Sequence, residues 1–397
     1  MAVLGGTPAV LGGTYQATAS GAIANGDPVK INSNGTVSKA VGGAGLTMYI
    51  IGTASDSVNQ FALSSTFKIT DATFVQARSV SAQETTPQSL AFNTDGTKMF
   101  VTGYTSDKVW EYTLGVAYDV SSAVVVDGFS VASQTAVPVA LRFNSDGSKM
   151  FVLGIGGTPS VFEYALSTNF DVSTASYTDA LAVDGTTGTN CYGLAFNNDG
   201  TKMFTTNSSG TNSLFAEYAL STGFDVSTAS LTDTTNIASF STGPAGIAFN
   251  ADGTKVYILN PATYLVNELT LGTAFDASTI NTATIQSFNI IGNTIIQESA
   301  PQGMAFGTGV VGQSSYIGIA SAAASDGATA TIQVIGSIDD ASSGLTPGQS
   351  VYVSVTGTLT STTTATVAGV ALSASKVLIK GAYSALFYKD GFQKEIV

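Results

Sequence analysis

The string AFNTDGTKMFV at residues 91–101 decides the fold, because near copies of it return three times along the chain. The copies are RFNSDGSKMFV from Arg142, AFNNDGTKMFT from Ala195 and AFNADGTKVYI from Ala248. Their Asp-Gly pairs are 51, 53 and 53 residues apart, and each copy is followed by a second string such as EYTLGVAYDVSSA from Glu111. Self-similarity at a fixed period of this length indicates a repeat architecture.

Each repeat predicts four short strands. In the first repeat these are Leu90–Asn93, Lys98–Thr102, Val109–Leu114 and a looser strand near Val125–Val131. Turns rich in Gly, Asn, Asp and Ser separate the strands, and no helical periodicity is sustained. Four strands in about 50 residues are typical of one blade of a β-propeller.

A fifth blade is divided between two parts of the chain. Residues 48–72 match the second half of a repeat, but the first half does not precede them. The missing half, APQGMAF, stands at residues 300–306 and matches TPQSLAF at residues 86–92. The sequence therefore predicts an all-β, five-bladed β-propeller that closes through one split blade.

The residues common to all repeats are best explained by a role in forming the fold rather than by a role in binding a ligand. Asp95-Gly96 lies between two apolar runs and predicts a hairpin turn, with positive φ at the glycine and a cap from Asn93 or Asp95. A calcium loop is the alternative, but the later ligands of an EF-hand are missing. The string FDVSTA, which contains Asp171 and again Asp225, predicts an Asx-turn that leads into the outer strand.

Each repeat also carries one lysine and one glutamate on neighbouring predicted strands. We expect a cross-strand ion pair in each blade rather than a circle of catalytic carboxylates. The predicted pairs join Lys98, Lys149, Lys202 and Lys255 to Glu111, Glu163, Glu217 and Glu268.

Short β segments between turns also fill both ends of the chain. We expect residues 1–44 and 309–397 to form one discontinuous β-sandwich or barrel-like domain, with the propeller of residues 45–308 inserted into it. The apolar terminal stretches MAVLGGTPAVLGG and YSALFYKDGFQKEIV offer surfaces for assembly with a neighbouring subunit or particle protein.

The composition restricts the possible functions. The chain has 397 residues, a net charge of −13 and no histidine, which argues against nucleic acid and anionic membranes as partners and removes every imidazole base. No run of about 18 apolar residues predicts membrane insertion, no basic n-region predicts a signal peptide, and the single cysteine excludes an intrachain disulfide. We expect no cofactor, no metal site and no enzymatic activity.

Specific function is expected where the repeats differ, namely in the loops between the second and third strands and in those entering each inner strand. Small polar residues with an occasional aromatic suit the binding of glycans or protein loops. The candidate ligand-binding residues are Tyr104, Tyr192 and Tyr264. The alternative is that these loops vary without binding anything.

Four strings in the predicted terminal domain resemble a module common in tailed-phage structural proteins, on tail fibres and capsid decoration proteins. They are SGAIANGDPVKINSNGTVSKA, YIGIASAAASDGATATIQVIGS, GLTPGQSVYV and VAGVALSASKVLIKG. The propeller repeats resemble those of the same kind of virion protein, particularly in marine phages. The resemblance implies a structural protein on the virion surface, docked on capsid or tail proteins through its terminal domain and displaying the propeller outward. A homo-oligomer is expected, with a trimer among the candidate states.

Two other functions are open on the sequence. One is a tail-fibre or receptor-binding adhesin that recognises a host surface glycan or protein. The other is a propeller glycosidase or lyase. A sialidase requires three arginines around the substrate carboxylate, and this chain has only Arg78 and Arg142.

Overall fold

The computed structural model describes residues 14–31, 35–39, 43–63, 65–183, 190–208, 212–291, 298–309, 316–334, 336–340, 342–353, 359–360 and 367–379. Within these residues the regular structure is all β, apart from five 3₁₀ turns at Ile69–Asp71, Val120–Ser122, Val172–Thr174, Val226–Thr228 and Ala277–Thr279. The chain divides into two compact units. The five-sheet unit is Ala44–Thr308, and the terminal unit comprises Met1–Gly43 and Gly309–Val397.

Strands of the terminal unit are numbered in chain order together with those of the five-sheet unit. The first three are β1 (Thr14–Thr18), β2 (Pro28–Ile31) and β3 (Val37–Lys39). The five-sheet unit contains β4 (Gly43–Gly52), β5 (Ser57–Ala62), β6 (Thr73–Ser79), β7 (Pro87–Phe92), β8 (Lys98–Gly103), β9 (Lys108–Leu114), β10 (Ala123–Ser130), β11 (Pro138–Phe143), β12 (Lys149–Gly154), β13 (Ser160–Leu166), β14 (Ala175–Ala182), β15 (Asn190–Phe196), β16 (Lys202–Ser208), β17 (Leu214–Leu220), β18 (Ala229–Asn236), β19 (Ile247–Phe249), β20 (Lys255–Asn260), β21 (Leu265–Leu271), β22 (Ile280–Asn289) and β23 (Pro301–Gly309).

Each full repeat forms one four-stranded sheet with the strands in chain order, from the inner strand (β7, β11, β15 or β19) to the outer strand (β10, β14, β18 or β22). A fifth sheet has the order β23-β4-β5-β6 and so joins a strand from after the last repeat to three strands from before the first. Four strands per repeat and the all-β class are therefore confirmed, and the arrangement is propeller-like.

The Asp-Gly hairpins have the predicted turn geometry. Gly96 has a φ of 72°, Asp95 accepts hydrogen bonds from the amide and hydroxyl of Thr97, and Asn93 accepts one from the amide of Lys98. The aromatic ring of Tyr118 packs directly over Gly96, so that a Cβ atom there would lie 2.2 Å from it. The other three Asp-Gly turns repeat this packing with Phe170, Phe224 and Phe275.

The FDVSTA strings form the predicted turns as well. Asp171 and Asp225 each accept a hydrogen bond from the backbone amide two residues later, which caps a 3₁₀ turn that leads into the outer strand. The preceding residues, Phe170 and Phe224, have positive φ. This left-handed backbone directs the loop back over the glycine of the Asp-Gly hairpin.

The core lies between neighbouring sheets. One cluster joins Phe100 and Val109 of the first repeat to Leu141 and Met150 of the second. Another joins Met48 and Phe61 of the divided sheet to Tyr257 and Val266 of the fourth repeat. Each sheet thus buries its apolar faces against the sheets on either side, which is why a single repeat cannot complete a core by itself.

The inner strands also contact one another in succession. The Ser89 hydroxyl of β7 accepts a hydrogen bond of 3.1 Å from the amide of Leu141 in β11. Strand β11 contacts β15, and β15 contacts β19. The amide of Gly246, beside β19, donates to the carbonyl of Gln302 in β23 at 3.0 Å, and Gly303 of β23 packs against the backbone of Gln88 in β7.

The predicted lysine–glutamate pairs are present in all four repeats, with N–O distances of 2.7 Å in the first three and a pair between Lys255 and Glu268 in the fourth. They have a second role that the sequence does not reveal. Glu111 also accepts a hydrogen bond from the amide of Val172, and Lys98 donates to the carbonyl of Phe170. Both of these atoms belong to the next repeat, and the pairs of the second and third repeats make the same two bonds, so the pairs of the first three repeats each fasten one sheet to its neighbour.

The terminal unit contains two five-stranded sheets within its described residues. Its remaining strands are β24 (Tyr316–Ala320), β25 (Thr329–Gln333), β26 (Ile338–Asp339), β27 (Ser350–Val353), β28 (Leu359–Thr360), β29 (Val367–Ala371) and β30 (Val377–Ile379). One sheet, β1-β25-β24-β2-β3, combines strands from both ends of the chain, and the other is β26-β30-β29-β27-β28. Each has its own apolar cluster. The sandwich or barrel-like arrangement stays a prediction, and the stretches at residues 1–13 and 383–397 lie outside the described residues.

Candidate functional site

The described residues of the five-sheet unit form cavities at opposite ends of the inner strands. The first, which we call the tyrosine cavity, measures about 290 Å³ and lies near the beginnings of β7 and β23. Its wall consists of Thr53, Thr86, Gln88, Tyr104, Tyr192 and Gln302. The second lies at the ends of the inner strands and contains Arg142, so we call it the arginine cavity.

Tyr104 and Tyr192 come from different repeats and meet in the tyrosine cavity. Tyr104 follows β8, and its amide donates to the carbonyl of Thr86 at 3.3 Å. Tyr192 stands at an irregularity of β15, where the pairing with β16 shifts register between Cys191 and Gly193. Burial raises the pKa of both phenols, and for Tyr104 the proximity of Tyr192 adds to the effect. Both side chains therefore remain neutral hydrogen-bonding groups attached to flat apolar rings.

A buried carboxylate holds the loop that carries Tyr104. Glu84 accepts hydrogen bonds from the amides of Thr86, Thr105 and Ser106 and from the Ser106 hydroxyl, the last at 2.6 Å. Glu298 does the same in the divided sheet, where its partners include Ala54 and Ser55. Because both carboxylates are fully buried and bonded to backbone, they fix the loops of the cavity wall.

Tyr264 does not join the other two tyrosines. It occupies the turn before β21 with a φ of 59°, and its carbonyl accepts a hydrogen bond from the amide of Ile290. Gln88 and Gln302, which do line the cavity, are absent from the residues that sequence reasoning selected. The sequence feature that could have identified these glutamines is the Pro-Gln pair in TPQSLAF and APQGMAF, which the other repeats lack.

The arginine cavity measures about 460 Å³, and its wall combines aromatic rings with polar side chains such as those of Asn144, Asn197 and Asn250. Its wall includes the phenylalanines at the ends of the five inner strands, which are Phe92, Phe143, Phe196, Phe249 and Phe306. Arg142 is the one charged side chain in the described part of this wall. Arg142 was not among the candidate residues predicted from the sequence. The repeat alignment could have identified it, because the other four inner strands have alanine at this position.

Arg142 reaches across from the second repeat to the fourth. Its guanidinium donates to the carbonyl of Leu141 at 2.7 Å and to the carbonyl of Ile247 at 2.8 Å. Within the described residues, no carboxylate pairs with it. Burial lowers the pKa of Arg142 to about 10, so the side chain still carries its charge at neutral pH.

Neither a metal cluster nor a membrane helix occurs in the residues that the structure describes. No group of three or more Cys, Asp or Glu side chains in the described ranges is placed to hold a metal ion. The described part of the chain also contains no helix that is long and apolar enough to cross a membrane.

Residues 291–377 match the family model for phage cement proteins. The matched segment covers less than a quarter of the chain and includes strands β23 to β29. No curated protein matches the chain. The family match supports a phage virion protein, and it does not test the resemblance of the repeats to those of marine-phage proteins.

Several solved structures are similar to the chain at low identity. A 6-phosphogluconolactonase described as putative, from Bacteroides uniformis, is 11% identical with a TM-score of 0.43, over 70% of this chain and 80% of the other. A second such protein, from Bacteroides fragilis, is 13% identical with a TM-score of 0.42, over 76% and 86%. A periplasmic gluconolactonase from Pseudomonas aeruginosa is 15% identical with a TM-score of 0.37, over 71% and 73%.

These likenesses correct one expectation from the sequence. The missing histidine led to the expectation that the chain is not an enzyme, yet the structures similar to it include a gluconolactonase and two proteins described as putative 6-phosphogluconolactonases. The inference was wrong because the absence of an imidazole excludes one class of base and nucleophile activation only. Carboxylates, amides and an arginine are all present in this chain. At these TM-scores the likeness carries no argument for a particular activity.

Proposed function

We propose that the chain is a structural protein of a phage particle surface, docked through its terminal unit and displaying the five-sheet unit. One observation carries this proposal: most of the segment that matches the phage cement family lies in the terminal unit, in strands β24 to β29. Association with other virion proteins is then the task of the terminal unit. A capsid-decoration role is our preferred form of the proposal, and a short tail appendage is its variant.

The displayed unit is, in this proposal, a five-bladed β-propeller that closes through its divided sheet. Support comes from the contacts between consecutive inner strands and from the hydrogen bonds that fasten each sheet to the next. The chain enters this unit at the start of β4 and leaves it at the end of its neighbour β23, and the amide of Thr53, just after β4, donates to the carbonyl of Ala300, just before β23. The two chain connections therefore lie at one end of the unit, and the tyrosine cavity lies at the other.

Exposed apolar side chains in each unit allow a test with the full-length chain. Ile338 and Leu372 of the terminal unit are 49% and 47% exposed, whereas Val124 and Val126 of the five-sheet unit are 61% and 56% exposed. We expect Ile338→Glu with Leu372→Glu to reduce incorporation into particles, because a charge in an apolar docking surface must be desolvated. The matched pair Val124→Glu with Val126→Glu is expected to incorporate normally.

The readout is the amount of the variant in purified particles, with circular dichroism confirming that both double variants are folded. If only the Val124 and Val126 variant failed to be incorporated, the five-sheet unit and not the terminal unit would be the one that docks on the particle. Equal incorporation of both variants would remove the terminal surface around Ile338 and Leu372 from the docking site.

A second function, recognition of a host surface glycan, is favoured by the tyrosine cavity. Two half-buried phenols, two glutamine amides and two threonine hydroxyls around about 290 Å³ provide flat apolar area and hydrogen bonds in one place. Tyr104→Ala and Tyr192→Ala should reduce adsorption of particles to host cells without changing incorporation. Tyr264→Ala is the matched control, because this tyrosine lies outside the cavity, and adsorption that falls equally in all three variants would contradict the assignment.

A further inference from the structure

The arginine cavity contains a charge that has no counterion among the residues that the structure describes. The guanidinium of Arg142 has five N–H donors, and carbonyl oxygens of Leu141 and Ile247 accept hydrogen bonds from two nitrogens. Carbonyl oxygens supply dipoles but no negative charge. Arg142 is partly buried, and a charge that is partly withdrawn from water without an opposite charge is costly, so that a bound anion would lower this cost.

The space around this charge is made by the neighbouring repeats. Where the second repeat has Arg142, the other inner strands have Ala91, Ala195, Ala248 and Ala305, all of which line the cavity. Four methyl groups in place of long side chains leave room beside one guanidinium. The arginine is therefore not part of the repeated pattern, since its side chain differs in both size and charge from the alanine that the other four inner strands have at this position.

The aromatic part of the cavity wall is suited to an apolar body. The inner-strand phenylalanines surround the space, and those of the loops between third and fourth strands, such as Phe170 and Phe224, add to it. The volume of about 460 Å³ lies within the range of small-molecule sites, which are mostly apolar with a few polar groups that orient the ligand. Arg142 would provide that orientation through its remaining donors, because a guanidinium pairs well with a planar carboxylate.

The net charge of −13 does not oppose such binding at short range. Charges on the surface are screened over about 8 Å at physiological ionic strength. In the described wall of the cavity, Arg142 is the one charged side chain, and its partial burial strengthens its interaction with an anion relative to a fully solvated pair.

We propose that the arginine cavity is a binding site for a small organic carboxylate, with the carboxylate on Arg142 and an apolar body against the phenylalanines. This inference concerns a site separate from the tyrosine cavity and is independent of the docking role. The proposal requires no covalent step.

Isothermal calorimetry of the full-length protein with benzoate as the probe tests it. Saturable binding of benzoate is expected, and benzamide, which has the same ring without the charge, should bind at least about tenfold more weakly through loss of the charge-assisted contact. Inorganic phosphate should also bind more weakly, since it has no apolar body. Absence of saturable benzoate binding, or equal binding of benzamide or phosphate, would overturn the proposal.

Variants locate the binding within the molecule. Arg142→Ala introduces the residue that the other four inner strands carry, and Arg142→Gln keeps a polar side chain with N–H donors while removing the charge. Benzoate affinity should fall by about tenfold or more in both. Arg78→Ala is the matched control, because it removes the other arginine, which lies in β6 and outside the cavity wall. Equal losses in the Arg78 and Arg142 variants would place the anion elsewhere and overturn the assignment.

Discussion

The hydroxyl of Tyr257 donates a hydrogen bond of 2.7 Å to the backbone carbonyl of Phe67, which is 190 residues earlier in the chain. This bond joins the fourth repeat to the divided sheet. At the next junction, the hydroxyl of Tyr49 in the divided sheet donates to the carbonyl of Tyr118 in the first repeat at 2.6 Å. In the first three repeats, a lysine makes the corresponding bond to the next repeat. The junctions of the divided sheet are thus fastened by buried tyrosines.

Removing the Tyr257 hydroxyl should weaken the junction between the fourth repeat and the divided sheet. Tyr257→Phe leaves the buried Phe67 carbonyl without this donor, so we expect the free energy of unfolding to fall by about 1–2 kcal/mol. Urea denaturation followed by circular dichroism measures the change. Tyr264→Phe serves as the control, since the half-buried hydroxyl of that turn residue should contribute little. If both variants unfold at the same urea concentration, the Tyr257 bond does not stabilise closure.

The lysine–glutamate pairs should stabilise the fold far more than ordinary surface ion pairs. Glu217 is buried, pairs with Lys202 at 2.7 Å and accepts a hydrogen bond from the amide of Ala277 in the next repeat. Glu217→Ala leaves both partners unsatisfied, and we expect a loss of about 3 kcal/mol.

Glu217→Gln is the informative comparison for this pair. The divided sheet already has Gln60 at the corresponding position, where its side chain accepts a hydrogen bond from the amide of Val120. The glutamine variant should therefore retain the bond to Ala277 and lose less stability than the alanine variant. Equal losses in the two variants would mean that the charge pair, and not the bond to the next sheet, dominates.

The stability that Glu84 gives to the loop carrying Tyr104 should depend on pH. Burial by itself raises the pKa of Glu84, but hydrogen bonds from Ser106, Thr86 and Thr105 outweigh burial and lower it from 4.5. A carboxylate whose pKa is lower in the folded state than in the unfolded state stabilises the fold at pH values above its unfolded-state pKa. This stabilisation is lost as the pH falls through the folded-state pKa. Unfolding free energies measured from pH 7 downward should therefore decline below about pH 4.5.

Glu84→Gln separates this residue from the other carboxylates. The difference in unfolding free energy between the unmodified protein and the variant should be largest at pH 7 and should shrink as Glu84 becomes protonated. A difference that stays constant down to pH 3 would show that ionisation of Glu84 does not contribute.

The glycine of the Asp-Gly hairpin should tolerate no side chain. In Gly200→Ala the new Cβ would lie 2.2 Å from the ring of Phe224, at a φ of 72°. We expect a loss of at least about 1 kcal/mol, from strain and displacement of the ring. Gly243→Ala is the control because a Cβ atom added at that position would have no neighbouring atom within 4 Å. Thermal unfolding of both variants checks the prediction, and comparable melting temperatures would contradict it.

Much of the local structure could be predicted from the repeated strings. Asp95-Gly96, the capping Asp171 and the Lys98–Glu111 pair all depend on residues near one another in sequence or in one hairpin, so pattern and turn chemistry suffice to predict them. The candidate site was predicted in part: Tyr104 and Tyr192 share a cavity, but Tyr264 does not. Loop position along a repeat does not specify which side chains meet, because that depends on how the repeats are arranged around one another.

The sequence by itself determined the four-stranded sheets, their turns and the sheet divided between residues 48–72 and 300–306, because strand alternation and turn residues act over a few neighbours. Only the tertiary structure decided that Glu111 reaches Val172, that Tyr192 meets Tyr104, and that Arg142 crosses to Ile247. These contacts join residues from different repeats. They form only when every sheet buries its apolar faces against the next, so their partners cannot be identified within any single repeat.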